Sequence, residues 1–224
     1  MASRLFLFAK LVSVVLLVLL IEIATTNAQT VVVIDASKDN TLYEEPSGAT
    51  SNGAGEYFFV GRTHLTTNSI RRGLIAFNPA GRIPAGATIT NVMLSLNMSR
   101  SNVGDTTVRL HRVTADWGEG TSNAVLMGGG SGAPATTNDA TWLHRFFSSS
   151  LWTTAGGTFA ATPSASATVG GVGRYTWGST AGLVSDVQQW LNTPAANFGW
   201  ILIGDEAVGS TAKRFDTKEN ANVA

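Results

Sequence analysis

Alternating apolar and polar positions recur in short runs along this chain, most clearly over residues 87–99, ATITNVMLSLNMS. There Val92, Leu94, Leu96 and Met98 alternate with Met93, Ser95, Asn97 and Ser99, the period-two pattern of a strand with one buried face. Further runs rich in β-branched and aromatic residues predict strands over 30–36 (TVVVIDA), 56–61 (EYFFVG), 71–78 (RRGLIAFN) and 106–114 (TTVRLHRVT). Three more fall at 173–178 (GRYTWG), 199–204 (GWILIG) and 212–217 (AKRFDT), with Gly, Pro and Asn punctuating the gaps. Only GLVSDVQQWLNTP, 182–194, has helical spacing. Val187, Trp190 and Leu191 share one side, Ser185 and Gln188 have capping-box spacing, and Pro194 stops the helix. Many short strands with one short helix predict an all-β fold, an antiparallel β-sandwich that is jelly-roll-like, because such sheets must bury one face against another.

The first residues read differently. Arg4 and Lys10 precede the apolar run Leu11 to Ile21, and a polar stretch ends at Thr26-Asn27-Ala28. An apolar run of eleven residues suits the central region of a secretory signal better than a membrane span. Residues 1–28 are therefore expected to be a signal peptide, and 29–224 a single secreted domain, extracellular or at the cell surface, with no membrane attachment after cleavage. The chain has no cysteine, which excludes disulfides, thiol nucleophiles and thiolate metal sites. Its 15 basic and 15 acidic residues balance, which argues against nucleic acid as the main partner.

Candidate chemistry concentrates between Arg109 and Phe159, where Trp117, Trp142 and Trp152 stand among Gly, Ser and Thr. Sugar recognition needs flat apolar faces together with fixed polar groups, and rings on loops can supply them. An acidic sugar adds a carboxylate that a guanidinium matches bidentately, and Arg112 and Arg145 lie nearest these tryptophans in sequence. For each ring the alternative is a plug at one end of the sandwich. Residues 118–140, with GGGSG at 128–132, read as a long loop of the kind that carries function. Trp177, Trp190 and Trp200 fall in apolar contexts and are expected in the core.

In order along the chain, KDNTLYE (38–44), SNGAGEYFFVGRT (51–63), RRGLIAFN, RIPAGATIT (82–90), LHRVTADWGEG (110–120), NDATW (138–142), DVQQWLNTPAANFGWILIGDE (186–206) and RFDTKEN (214–220) resemble the secreted DNRLRE-domain proteins, which are grouped with carbohydrate-binding modules. The resemblance implies a non-catalytic β-sandwich, with some relatives binding acidic polysaccharide such as alginate. It also implies one more strand after RFDTKEN, where only Ala221 to Ala224 remain, so the domain is expected to lack its last strand. That would leave an edge open to self-association.

Other chemistries leave weaker traces. A lyase-like enzyme could draw on His64, His111 and His144 with Tyr57, Tyr175 and arginines, and a glycosidase on Asp116 and Glu119 of DWGEG, which a tight glycine turn explains equally well. A structural or adhesive matrix protein is a further reading. No cofactor is expected. A structural calcium ion could use Asp35, Asp39, Glu44 and Asp216, although no calcium-loop spacing is present. Asn97-Met98-Ser99 is the one glycosylation sequon, on the polar face of its strand.

Overall fold

The computed structural model describes residues 29–221, and the expected signal peptide lies outside them. From Val32 onward the chain is one compact unit. Its main strands are β1 (Ala36–Tyr43), β2 (Tyr57–Arg62), β3 (Ile70–Phe77), β4 (Leu94–Ser101), β5 (Thr106–Arg112), β6 (Ala165–Val169), β7 (Gly173–Trp177), β8 (Trp200–Ile203) and β9 (Lys213–Asp216), with one helix, α1 (Ala181–Asn192). All pair antiparallel. The first sheet runs β1-β3-β8-β5-β6 and the second β2-β9-β4-β7, joined where Gly61 and Arg62 of β2 meet Arg71 and Ile70 of β3. The fold is all-β, as the alternation predicts.

Between the sheets lies a core built from Phe58, Ile75, Leu96, Met98, Val108, Leu110, Trp200, Leu202 and Phe215. Leu183, Val187 and Trp190 of α1 join it, and the rings of Trp190 and Trp200 are 4.5 Å apart. Gly73 is required at its position, because a Cβ there would come within 2.4 Å of the Phe58 ring. The helix begins earlier than the capping-box spacing predicts. Thr180 is the N-cap, its hydroxyl accepting from Leu183 N–H at 3.1 Å, and Ser185 lies inside the helix.

The first sheet is apolar on both faces. Its outer face presents Leu42, Leu74, Ala76 and Ile201, and these form a second core with Val113, Trp117, Ala140 and Trp152. The chain between Val113 and Phe159 thus lies over the first sheet as a third layer, held largely by turns and two-residue ladders such as Thr50–Ser51 with Ala133–Pro134.

The strand expected over 30–36 is corrected. Residues 30–35 form no strand, and Val33 is exposed; the strand starts at Ala36 and carries buried Asp39, Asn40 and Thr41, whose polarity hid it. Asn40 Oδ1 accepts from Ser51 Oγ at 3.0 Å and from Asn52 N–H at 3.1 Å, which satisfies a polar side chain inside the fold. The strand of RFDTKEN is central in the second sheet, flanked by β2 and β4. A buried lysine beside it was also hidden. The Lys213 ammonium donates to Ser101 Oγ at 2.7 Å and to the carbonyls of Val103, Gly104 and Gly170 at 2.9, 2.6 and 3.2 Å, and burial pushes its pKa down.

Candidate functional site

The three tryptophans of the Gly/Ser/Thr-rich segment come together, but two of them face inward. Trp117 is 1% exposed and Trp152 is 6% exposed. Trp117 Nε1 donates to Phe198 O at 2.8 Å and Trp152 Nε1 to Thr141 O at 2.9 Å, so both rings are satisfied inside the second core. Lys38 closes over Trp117, with Nζ 4.3 Å from the ring centroid and 3.1 Å from Asp116 Oδ1. The expectation that Trp117 and Trp152 are exposed stacking rings is therefore corrected. The outer face of the first sheet is apolar and needs a cover, and these rings supply it.

Trp142 alone of the three reaches the surface, half-buried. Arg72, from the outer face of β3, holds its guanidinium carbon 5.0 Å from the Trp142 ring centroid and 5.6 Å from that of Phe159. Its Nε and Nη2 donate to the two Glu206 carboxylate oxygens at 2.7 and 2.9 Å, and Nη1 donates to Gly156 O at 2.8 Å. Every nitrogen of the fork is committed, so the side chain is rigid and its charge is neutralised. Gly156 and Gly157 have φ of +84° and +107°, and a Cβ on Gly156 would lie 2.6 Å from Arg72 Nη1 and 2.8 Å from the Trp142 ring. Beside these groups is a shallow depression of about 310 Å³ lined by Arg72, Thr154, Ala155, Gly157, Thr158 and Phe159. His111 supports Phe159 from beneath, ring against ring at 5.3 Å, with Nδ1 2.9 Å from Ala160 O.

The expected arginines are elsewhere. Arg112 faces α1, its Nε 3.1 Å from Asp186 Oδ1, while Asp186 Oδ2 also accepts from Ser164 Oγ at 2.5 Å and Trp200 Nε1 at 2.8 Å. Arg112 thus anchors the helix to the first sheet. Arg145 lies over the Phe146 ring and donates to Asp116 O at 3.3 Å. Arg72 was missed because RRGLIAFN reads as a buried strand; the signal available was its outward parity with Leu74 and Ala76.

The residues weighed for catalysis do not converge. His144 Nδ1 sits 3.2 Å from both Thr141 Oγ1 and Gly48 O, and Asp116 accepts from the N–H of Trp117 at 2.8 Å, the local turn bond its glycine context predicts. Glu119 instead joins a cluster around buried Asp39, accepting from Asp39 N–H and from Lys218 Nζ, each at 2.8 Å; Lys218 also pairs with Glu219. Asp39 is fully buried there, with one carboxylate oxygen unpartnered. Burial first, and then the charge of Glu219, push its pKa up to about 8.

The four carboxylates weighed for calcium lie apart. Glu44 caps the N–H groups of Ser69 and Ile70 at 2.8 and 2.9 Å, and Asp216 accepts from Asn97 Nδ2 at 2.6 Å. Among the described residues no three His, Asp or Glu side chains form a group that could hold a metal ion. Asn97 of the sequon faces outward on β4, half-buried, with its amide committed to Asp216.

No protein-family model matches this chain, and no curated protein matches it either.

Proposed function

We propose that this chain is a secreted, non-catalytic module that binds polysaccharide, an acidic one in particular, without cleaving it. The observation that carries the reading is an open depression lined by Arg72, Thr154, Thr158 and Phe159, with the partly exposed Trp142 ring stacked against an Arg72 whose position is fixed by Glu206 and Gly156. A partly exposed ring held rigid offers apolar surface to sugar C–H groups at little entropic cost, and the Thr154 and Thr158 hydroxyls and the glycine backbone offer polar partners beside it. His111 packs on Phe159, His144 reaches Gly48 O and Tyr57 lies against Arg214, different surroundings that support binding over lyase chemistry, which needs base, acid and cation together. The resemblance to DNRLRE-domain proteins points the same way.

Affinity electrophoresis through gels containing alginate, pectate or a neutral xylan tests this. The wild-type chain is expected to be retarded in at least one gel with no unsaturated or shortened product. Trp142→Ala is expected to lose most of that retardation while melting near the wild type. Free migration in every gel, or release of cleaved product, would sink the proposal.

A further inference from the structure

The outer face of the second sheet carries charge that its own strands do not neutralise. Of the basic residues in β2, β9, β4 and β7, Arg100, Arg174 and Arg214 lie on this face while Lys213 is buried, and the one acidic residue of these strands is Asp216. Asp216 Oδ2 accepts from Asn97 Nδ2, and Asp216 makes no ion pair among the described residues. Arg214 of β9 stands directly opposite Arg100 of β4, where a register shift bends the ladder. Like charges directly opposite on paired strands destabilise a sheet. Among the described residues neither arginine is paired with a carboxylate.

Arg214 is half-buried on this face. Arg214 stacks on Tyr57 with its guanidinium carbon 3.8 Å from the ring centroid, and its Nε donates to Ser99 Oγ at 3.1 Å. Arg100 is exposed. Next to them the face is a floor of small polar groups: Asn97, the Ser95 and Thr176 hydroxyls 2.8 Å apart, and exposed Arg174 opposite Asn97. The Gly-rich segment borders this floor, since a Cβ on Gly128 would lie 2.7 Å from Arg214 Nη1.

We infer that this face is a second saccharide site, taking a carboxylate-bearing polysaccharide, and that it rather than the Trp142 depression selects acidic chains. The inference rests on the polysaccharide-binding reading and divides its labour. Arg72 is already neutralised by Glu206, so the Trp142 site senses the apolar face of a sugar and not its charge. Arg100 and Arg214 together lack an acid, and planar forks match carboxylates bidentately while the amide and hydroxyl floor matches sugar hydroxyls.

Isothermal titration of the chain with a mannuronate hexamer, and with the same hexamer carboxyl-reduced to a neutral sugar, separates the two sites. Arg100→Gln and Arg214→Gln are each expected to weaken the uronate hexamer roughly tenfold, the scale of one lost charge-assisted contact. Both should leave the neutral hexamer unchanged, whereas Trp142→Ala should weaken both ligands. Should Arg214→Gln fail to fold, Arg100→Gln, whose side chain is exposed, decides alone. A folded double variant that binds the uronate like the wild type would overturn this inference and leave the Trp142 reading intact. Binding of neither hexamer by the wild type would overturn both. Tighter binding of a single-stranded DNA oligomer than of the uronate would overturn the choice of a saccharide occupant.

Discussion

The outer faces of the two sheets are built on opposite plans. The first sheet turns Leu42, Leu74, Ala76 and Ile201 outward, and a layer of irregular chain bearing Trp117 and Trp152 covers them. The second turns Ser95, Asn97, Ser99, Thr176, Arg214 and Asp216 outward, and much of that face stays open to solvent. The difference is written in the strands. RRGLIAFN and GWILIG carry continuous apolar runs, the mark of strands buried on both faces, whereas LSLNMS alternates. A sheet with two apolar faces needs a cover, so tryptophans in a glycine-rich connection become core. A tryptophan's sequence neighbours therefore say less about its exposure than the parity of the strands it must cover.

The largest effect expected is on the covered face. Trp117→Ala should cost about 3 to 5 kcal/mol, the range for truncating a large buried aromatic, and so match Trp190→Ala in the inter-sheet core. Guanidinium denaturation checks it. A Trp117→Ala variant as stable as the wild type would mean that the layer over the first sheet is not packed as described.

The seam between that layer and the C-terminal segment should respond to pH through Asp39. Its folded pKa is raised to about 8 from the ordinary 3.8, so the folded state binds a proton that the unfolded chain releases. Stability from this group is full below the unfolded value and is lost as pH rises through about 8, at a limiting slope of about 1.4 kcal/mol per pH unit. Asp39→Asn, a neutral isostere, should flatten that decline and be the more stable protein at pH 8 to 9. Thermal melts across pH 4 to 9 read this directly. A parallel fall in both proteins would remove Asp39 as the cause.

Much of the sandwich was legible. Period-two alternation over 92–99 placed Leu94, Leu96 and Met98 inside and left Met93 exposed, and the helix fell within a few residues of its predicted span. The parts that were not legible share a physical reason. Polar residues buried by long-range hydrogen bonds carry no local sequence signal. Thus Asp39, Asn40 and Thr41 concealed β1, and nothing local marked Lys213, whose partners lie more than forty residues away, as buried. Of the candidate site, Trp142 was within reach of sequence reasoning. Arg72 could be placed on the outer face by parity with Leu74 and Ala76, but its role could not be read, because its partners Glu206 and Gly156 are distant in the chain.

The smallest effect belongs to the open face. Arg100→Gln should change stability by no more than about 0.5 kcal/mol, and in the stabilising direction, since it relieves the repulsion with Arg214. A clear loss of stability by urea denaturation would show that Arg100 makes a structural contact and would blunt the contrast between the two faces.

Hydroxyl-radical footprinting with mass spectrometry tests the central claim most directly, because it reads the accessibility of each tryptophan in the intact protein. Trp142 should be oxidised readily, while Trp117 and Trp152 should be protected as strongly as Trp177, Trp190 and Trp200. Oxidation of Trp117 and Trp152 at the rate of Trp142 would contradict the account, and would return all three rings to an exposed surface.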